Sequence, residues 1–186
     1  NCITDDVNYN YLYILRNPVS DLPDNSVVGY TLGFNVDYAL TGGEMEVTLS
    51  GIGTDNPYFD FAPTLSEEPG EVYMSDAVRT KFGYHVGDTV VFHDNSEDRR
   101  YAFKIAGEVK FGSGLYFFMN LDAMREAFGL DYFDKDELKR GQRPPKAYDY
   151  YYNTVYSDEK LEFRHNMALS EVVKTDLESG AAKFMT

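Results

Sequence analysis

Histidines, cysteines, paired carboxylates and glycine-rich turns are where a chain can carry chemistry, and spacing tests each of them. His85, His93 and His165 are the only histidines and Cys2 is the only cysteine. A zinc site needs about four convergent nitrogen, sulfur or oxygen ligands, and no second ligand pair stands near His85 and His93. The three histidines are therefore expected to be structural, since His is commonly intermediate in burial. With one thiol no internal disulfide can form, and Cys2 is left out of any site. No G-x-S-x-G elbow occurs, and Gly112-Ser113-Gly114 has the wrong spacing to present a nucleophilic serine. Gly51-Ile52-Gly53 lacks the Lys-Ser/Thr pair that a phosphate loop needs.

Two acidic clusters invite a calcium reading. Asp94, Ser96 and Asp98 alternate, but Arg99 stands where the loop glycine belongs and Ile105 where a bidentate Glu should close the loop. Asp131, Asp134, Asp136 and Glu137 also lack the glycine, and Lys135, Lys139 and Arg140 interleave with them, as on a solvated charged face. The row Tyr148, Tyr150, Tyr151 and Tyr152 has the rigid rings and polar tips of a sugar or peptide platform. A core strand with one solvent-facing row accounts for it better. The reading of the residues thus assigns no catalytic, cofactor-binding or metal-binding residue.

Elements must position whatever site exists. At 186 residues, 43% hydrophobic and 16% aromatic, the chain has enough apolar surface for a packed interior in one domain or two small ones sharing a core. A formal charge of −14 repels a phosphate backbone, so nucleic acid is not an expected partner. No apolar run reaches the roughly 18 to 20 residues that span a bilayer. Starting at Asn1 without a signal-like stretch, the sequence is expected to be a fragment or a processed product.

Alternation predicts strands at Tyr9 to Leu15, Val27 to Val36 and Glu44 to Ile52. In GEVYMSDAVRTKFGYHVGDTVVF, Val72 to Met74 extend, Ser75 caps a two-turn helix carrying Ala77, Val78 and Phe82, and Gly83 ends it. Tyr84, Val86, Val90 and Phe92 are read as the next strand, with Gly87-Asp88 in the turn or bulge before it. Asp94 to Arg100 is a hairpin loop, and the return strand runs from Tyr101 to about Phe111. Tyr116 to Met119 is a short strand, and Asn120 caps a helix with Leu121, Met124 and Phe128 inward and Asp122, Arg125 and Glu126 toward water. Residues 131–146 form a charged excursion and YDYYYNTVY a strand. Ser157 is expected to cap another short helix, Met167 to Val173 to form a strand, and Thr175-x-x-Glu178 to open a last helix that is still running at the chain end.

GEVYMSDAVRTKFGYHVGDTVVFHDNSEDRRYAFKIAGEV resembles the hallmark segment of the extracytoplasmic, MacB-like periplasmic core domains of FtsX-like ABC transporter permeases. The positions that carry the resemblance are Gly70-Glu71, Met74-Ser75, Ala77, Phe82-Gly83-Tyr84, Val86-Gly87-Asp88 and Ile105-Ala106-Gly107, followed by Met119-Asn120-Leu121. It is clear over residues 70–130 and loose elsewhere, and the Tyr-rich and charged stretch 131–156 departs from the common pattern.

What the resemblance implies is an α+β fold. A porter-like βαβ half is built from both chain ends, residues 1–60 and 112–186, and a small β-rich, sabre-like insert with one short helix occupies 61–111. Gly70, Ser75, Ala77, Gly83, Gly87, Asp88 and Gly107 are expected to be structural motif residues. Such domains are not enzymes and hold no cofactor. They lie on the extracytoplasmic face of the bacterial cell membrane, joined to their own transmembrane helices and through them to a cytoplasmic ATPase, and they contact substrate, a second permease domain or an extracytoplasmic partner. The alternative from another class is a secreted or cell-surface module that binds carbohydrate or peptide through the Tyr-rich strand. A hydrolase using Asp and Glu as acid and base ranks behind both, because no carboxylate pair is singled out.

Overall fold

The computed structural model of the chain describes residues 9–16, 19, 22–23, 26–130, 152–163, 168–173 and 183–184. The strands are β1 (Tyr11–Leu15), β2 (Val27–Tyr38), β3 (Gly43–Ile52), β4 (Glu71–Ser75), β5 (Thr89–Asp94), β6 (Arg99–Val109), β7 (Tyr116–Asn120), β8 (Thr154–Ser157), β9 (Ala168–Val173) and β10 (Lys183–Phe184). The helices are α1 (Asp76–Phe82) and α2 (Leu121–Phe128), with one short 3-10 turn at Ala62–Thr64.

The fold is mostly β and contains a closed six-stranded barrel. β2 and β3 form a hairpin, β3 runs parallel to β7, β7 antiparallel to β4, β4 parallel to β6, and β6 antiparallel to β5. β5 then returns to β2 through Asn35 opposite His93, which closes the ring. The expected α+β architecture, a porter-like βαβ half with a separate sabre-like insert, is therefore corrected. β4, β5 and β6 share the barrel wall with β2, β3 and β7.

Period-two alternation explains how the wall is built. In β7, Phe117 and Met119 point into the barrel with Phe34, Leu49, Val72, Met74, Val90, Phe92 and Ile105. Phe118 and Tyr116 point out, onto a second layer with Phe59, Phe111 and Tyr156. The barrel is filled by side chains, as expected for a ring of this size. α1 contributes Val78 and α2 contributes Ala123 and Met124 to the same interior.

β2 is shared. Along one edge its first residues pair with β8, Val27 opposite Tyr156 to Gly29 opposite Thr154. At Thr31 the Asn153 side chain takes over the strand's role, accepting from the Thr31 N–H and donating to the Thr31 carbonyl, both at 2.8 Å. Further along, β5 occupies the same edge. β8, β1, β9 and β10 continue outward from this branch as a second antiparallel sheet. In β1, Leu12 packs with Ile52, Phe118 and Tyr156, while Tyr13 and Leu15 pack with Val19, Tyr152 and Val155 on the opposite face, so the strand is apolar on both sides.

Local expectations also change in places. Tyr84 and Val86 precede β5 rather than belong to it. Ser157 caps no helix; its hydroxyl donates to the Glu159 carbonyl and accepts from the Glu159 N–H, closing a tight turn. Arg125 is buried at 7% exposure rather than facing water, and its guanidinium meets Asp122 Oδ1 at 3.0 Å. The expected last helix falls largely outside the described residues, and where the chain is described again Lys183 and Phe184 pair with β9 as a strand.

Candidate functional site

The seven residues singled out by the motif lie in or directly beside β4 and α1, in the turn before β5, and in β6. Ser75 ends β4 and caps α1: its hydroxyl accepts from the Val78 N–H at 3.2 Å and from the Tyr116 N–H at 3.4 Å. Gly83 closes α1 in the left-handed conformation at φ 74°, and its N–H reaches the Arg79 carbonyl. Ala77 is half-buried on α1, and the Gly70 carbonyl accepts from Lys104 N–H at the start of β4.

Gly87 and Asp88 knit the turn to β6. The Gly87 N–H donates to the Ile105 carbonyl and the Ile105 N–H donates to the Asp88 carbonyl, each at 2.8 Å. This two-way bridge sets Gly87 at φ 99°, a region that favours glycine. The Asp88 carboxylate accepts from the His85 N–H at 2.8 Å and so holds the other side of the turn. Gly107 lies opposite Tyr73 at a register shift, and a Cβ there would sit 2.8 Å from the Tyr73 ring. The ring covers the glycine, an arrangement that offsets the missing side chain of a strand glycine. These roles are backbone geometry.

His93 stands at the closing seam of the barrel. Its Nδ1 lies 3.0 Å from Glu44 Oε2 and its Nε2 2.9 Å from Asp98 Oδ1. Those hydrogen bonds, Asp98 first and Glu44 second, raise its pKa, and His93 in turn lowers that of Glu44. The two carboxylates flank the ring on opposite nitrogens, so the group bridges strands rather than converging on an ion. Asp94, Ser96 and Asp98 build the β5–β6 hairpin: Asp94 Oδ1 accepts from Ser96 N–H and Oγ, and Asp98 adopts φ 50°. Among the described residues no group of three or more His, Cys, Asp or Glu side chains is arranged to hold a metal ion. His85 is exposed in the turn before β5. His165, Tyr148, Tyr150, Tyr151 and the acidic cluster from Asp131 to Glu137 lie outside the described residues. Tyr152 is a core residue whose hydroxyl accepts from the Val19 N–H and donates to the Val19 carbonyl.

Among the described residues, three cavities lie beside the barrel that none of the seven motif residues lines. One cavity of about 270 Å³ lies at the start of α2, where Asp55, Asp122 and Arg125 meet. Asn56 also lines it. The Asn56 side-chain oxygen accepts from the Tyr58 N–H, while its Nδ2 is the one buried side-chain polar atom among the described residues with no hydrogen-bond partner. An open groove of about 550 Å³ runs over Gly33, Glu46 and Tyr116. A smaller cavity of about 170 Å³ lies where the barrel meets the second sheet, between Tyr58, Tyr156, Asp158 and Glu159. Sequence reading missed this last group. Tyr58 belongs to an irregular loop and Asp158 to a turn, and no local pattern joins residues so far apart in the chain. Compared with known proteins, the chain matches no family model and no curated sequence.

Proposed function

We propose that the chain is a non-catalytic extracytoplasmic domain of an FtsX/MacB-type ABC transporter permease, one that contacts substrate or a partner and moves with the cycle of a cytoplasmic ATPase. The observation that carries this reading is the use made of the resembling segment. Residues 70–129 run continuously as β4, α1, β5, β6, β7 and α2, and the motif positions shape backbone there rather than a reactive cleft. Motion would reach the domain as a rigid-body shift, because β2 belongs to both the barrel and the second sheet.

Labelling of Cys2, the only cysteine of the chain, tests the location. Intact cells carrying the full-length parent are treated with a membrane-impermeant maleimide, with a Cys2→Ser parent as the blank. Labelling without permeabilisation is expected. Labelling only after lysis would put the domain on the cytoplasmic side and end the proposal.

A further inference from the structure

We infer that the cavity at the start of α2 is a binding site for a small zwitterion, an α-amino acid whose carboxylate faces inward and whose ammonium group faces the rim. The space of about 270 Å³ is metabolite-sized, a little below the ~300–1,000 Å³ of drug-sized sites. Its lining separates by charge and depth. Arg125 and Asn56 belong to the inner wall at 7% and 4% exposure, while Asp55 and Asp122 are exposed at the rim. Asn56 gives the sign of the inner end: its Nδ2 is a buried donor with no partner, so it requires an acceptor. A lone anion would bring a further negative charge to Asp55 and Asp122. A lone cation would face Arg125 and leave the Asn56 donor unanswered. A zwitterion satisfies both ends.

The fold builds this site in advance. The parallel strands β3 and β7 end together, with Ile52 opposite Asn120, and β7 passes directly into α2, which places the positive end of the helix dipole at the cavity. Asn120 Oδ1 accepts from the Ala123 N–H at 3.0 Å and fixes that first turn. Arg125 reaches back along α2 to Asp122 Oδ1 at 3.0 Å, so its charge lies beside the same turn; its contribution is charge and does not require a free N–H. On the facing loop, the Asn56 N–H donates to the Gly53 carbonyl at 3.1 Å, and Asn56 Oδ1 accepts from the Tyr58 N–H at 2.9 Å. The second bond settles which amide atom is the nitrogen, because the reversed amide would set a donor against a donor. A Cβ at Gly53 would stand 3.0 Å from Asp55 Oδ1, so this glycine leaves room for the carboxylate. Little ordering is left for a guest to impose, which favours affinity. The inference stands apart from the proposed transporter role.

Protein-detected NMR on the 186-residue chain tests it, following the Asn56 side-chain amide and the Arg125 Nε–H signals. The probes are the common L-amino acids, added singly. Propionate, ethylammonium chloride and glycerol are the controls, carrying the negative charge alone, the positive charge alone and no charge. Saturable shifts at both groups are expected with at least one amino acid, and each control should bind at least about tenfold more weakly. Asp55→Asn should weaken that binding about fivefold, the loss of one screened charge contact of roughly 1 kcal/mol at the ammonium end. Asn56→Asp keeps the acceptor for the Tyr58 N–H, removes the inner donor and should abolish binding; Asp55→Asn decides the matter if that variant does not fold. Asp60→Asn changes an exposed carboxylate that does not line the cavity and should leave binding unchanged. Saturable shifts with no amino acid, a control that binds as tightly as the best amino acid, or undiminished binding by Asp55→Asn would overturn the site.

Discussion

Phe34 and Phe92 touch only if the barrel closes. Phe34 lies on β2 and Phe92 on β5, their ring centroids are 5.3 Å apart, and they are 5% and 0% exposed. If the strands lay flat in the order β2, β3, β7, β4, β6 and β5, five strand spacings would separate the two rings by about 24 Å. A double-mutant cycle with Phe34→Leu and Phe92→Leu therefore reads closure directly. Leucine is the right replacement, because Phe→Ala at two core positions would remove about 3–5 kcal/mol each, comparable with the total stability of a domain. Each Leu variant should lose roughly 1–2 kcal/mol in urea unfolding. The pair is tilted by 30°, and aromatic pairs in such geometry contribute about 0.5–1.5 kcal/mol beyond buried area. The double variant should accordingly be less destabilised than the sum by an amount in that range. Additivity within about 0.3–0.5 kcal/mol, the behaviour of distant sites, would refute the closed ring.

Other consequences follow from particular contacts. Gly107→Ala should lower stability, because its Cβ would sit 2.8 Å from the Tyr73 ring, and the cost should shrink in a Tyr73→Leu background; an equal cost in both would remove the ring as the cause. Gly87→Val meets no atom within 4 Å, so its cost is backbone strain at φ 99°, about 1–3 kcal/mol, and a thermal midpoint should fall about 2–4 °C for each kcal/mol. An unchanged midpoint would make that turn ordinary. At the seam, the raised pKa of His93 gives stability that is complete below the usual imidazole value and lost as pH rises through the raised one. The lowered pKa of Glu44 gives stability that is lost as pH falls through its own value. Arg100 opposes the charge on His93, and the Asp94 carboxylate stands beside it. The stability difference between the wild type and His93→Gln should therefore be greatest at mildly acidic pH and shrink toward alkaline pH, and a difference that grows with pH would refute the ion bridge.

Short-range features were legible in the sequence because their causes are short-range. Ser75 and Asn120 accept from backbone N–H groups three residues on, and Gly83 and Gly129 take left-handed conformations just after their helices. The alternation of Val90 and Phe92 or of Phe103 and Ile105 records a single buried face. Closure was not legible, since the parallel pairing of β3 with β7 and the return of β5 to β2 join strands distant in the chain. The seam depends on one residue pair and on an Asn153 side chain that imitates a strand, for which no pattern exists. Arg125 reads as polar in any helical wheel, yet α2 buries it beside Asp122. The contact between Tyr58 and Tyr156 stayed hidden for the same reason: one ring belongs to a loop and the other to β8, far apart in the chain.

The most direct test of the proposed role is to read the parent gene outward from both ends of this chain. The account predicts apolar stretches of roughly 20 residues close to each side, long enough to cross a bilayer as helices. A cleavable signal on one side and a stop codon soon after the other would contradict it, leaving a free secreted module.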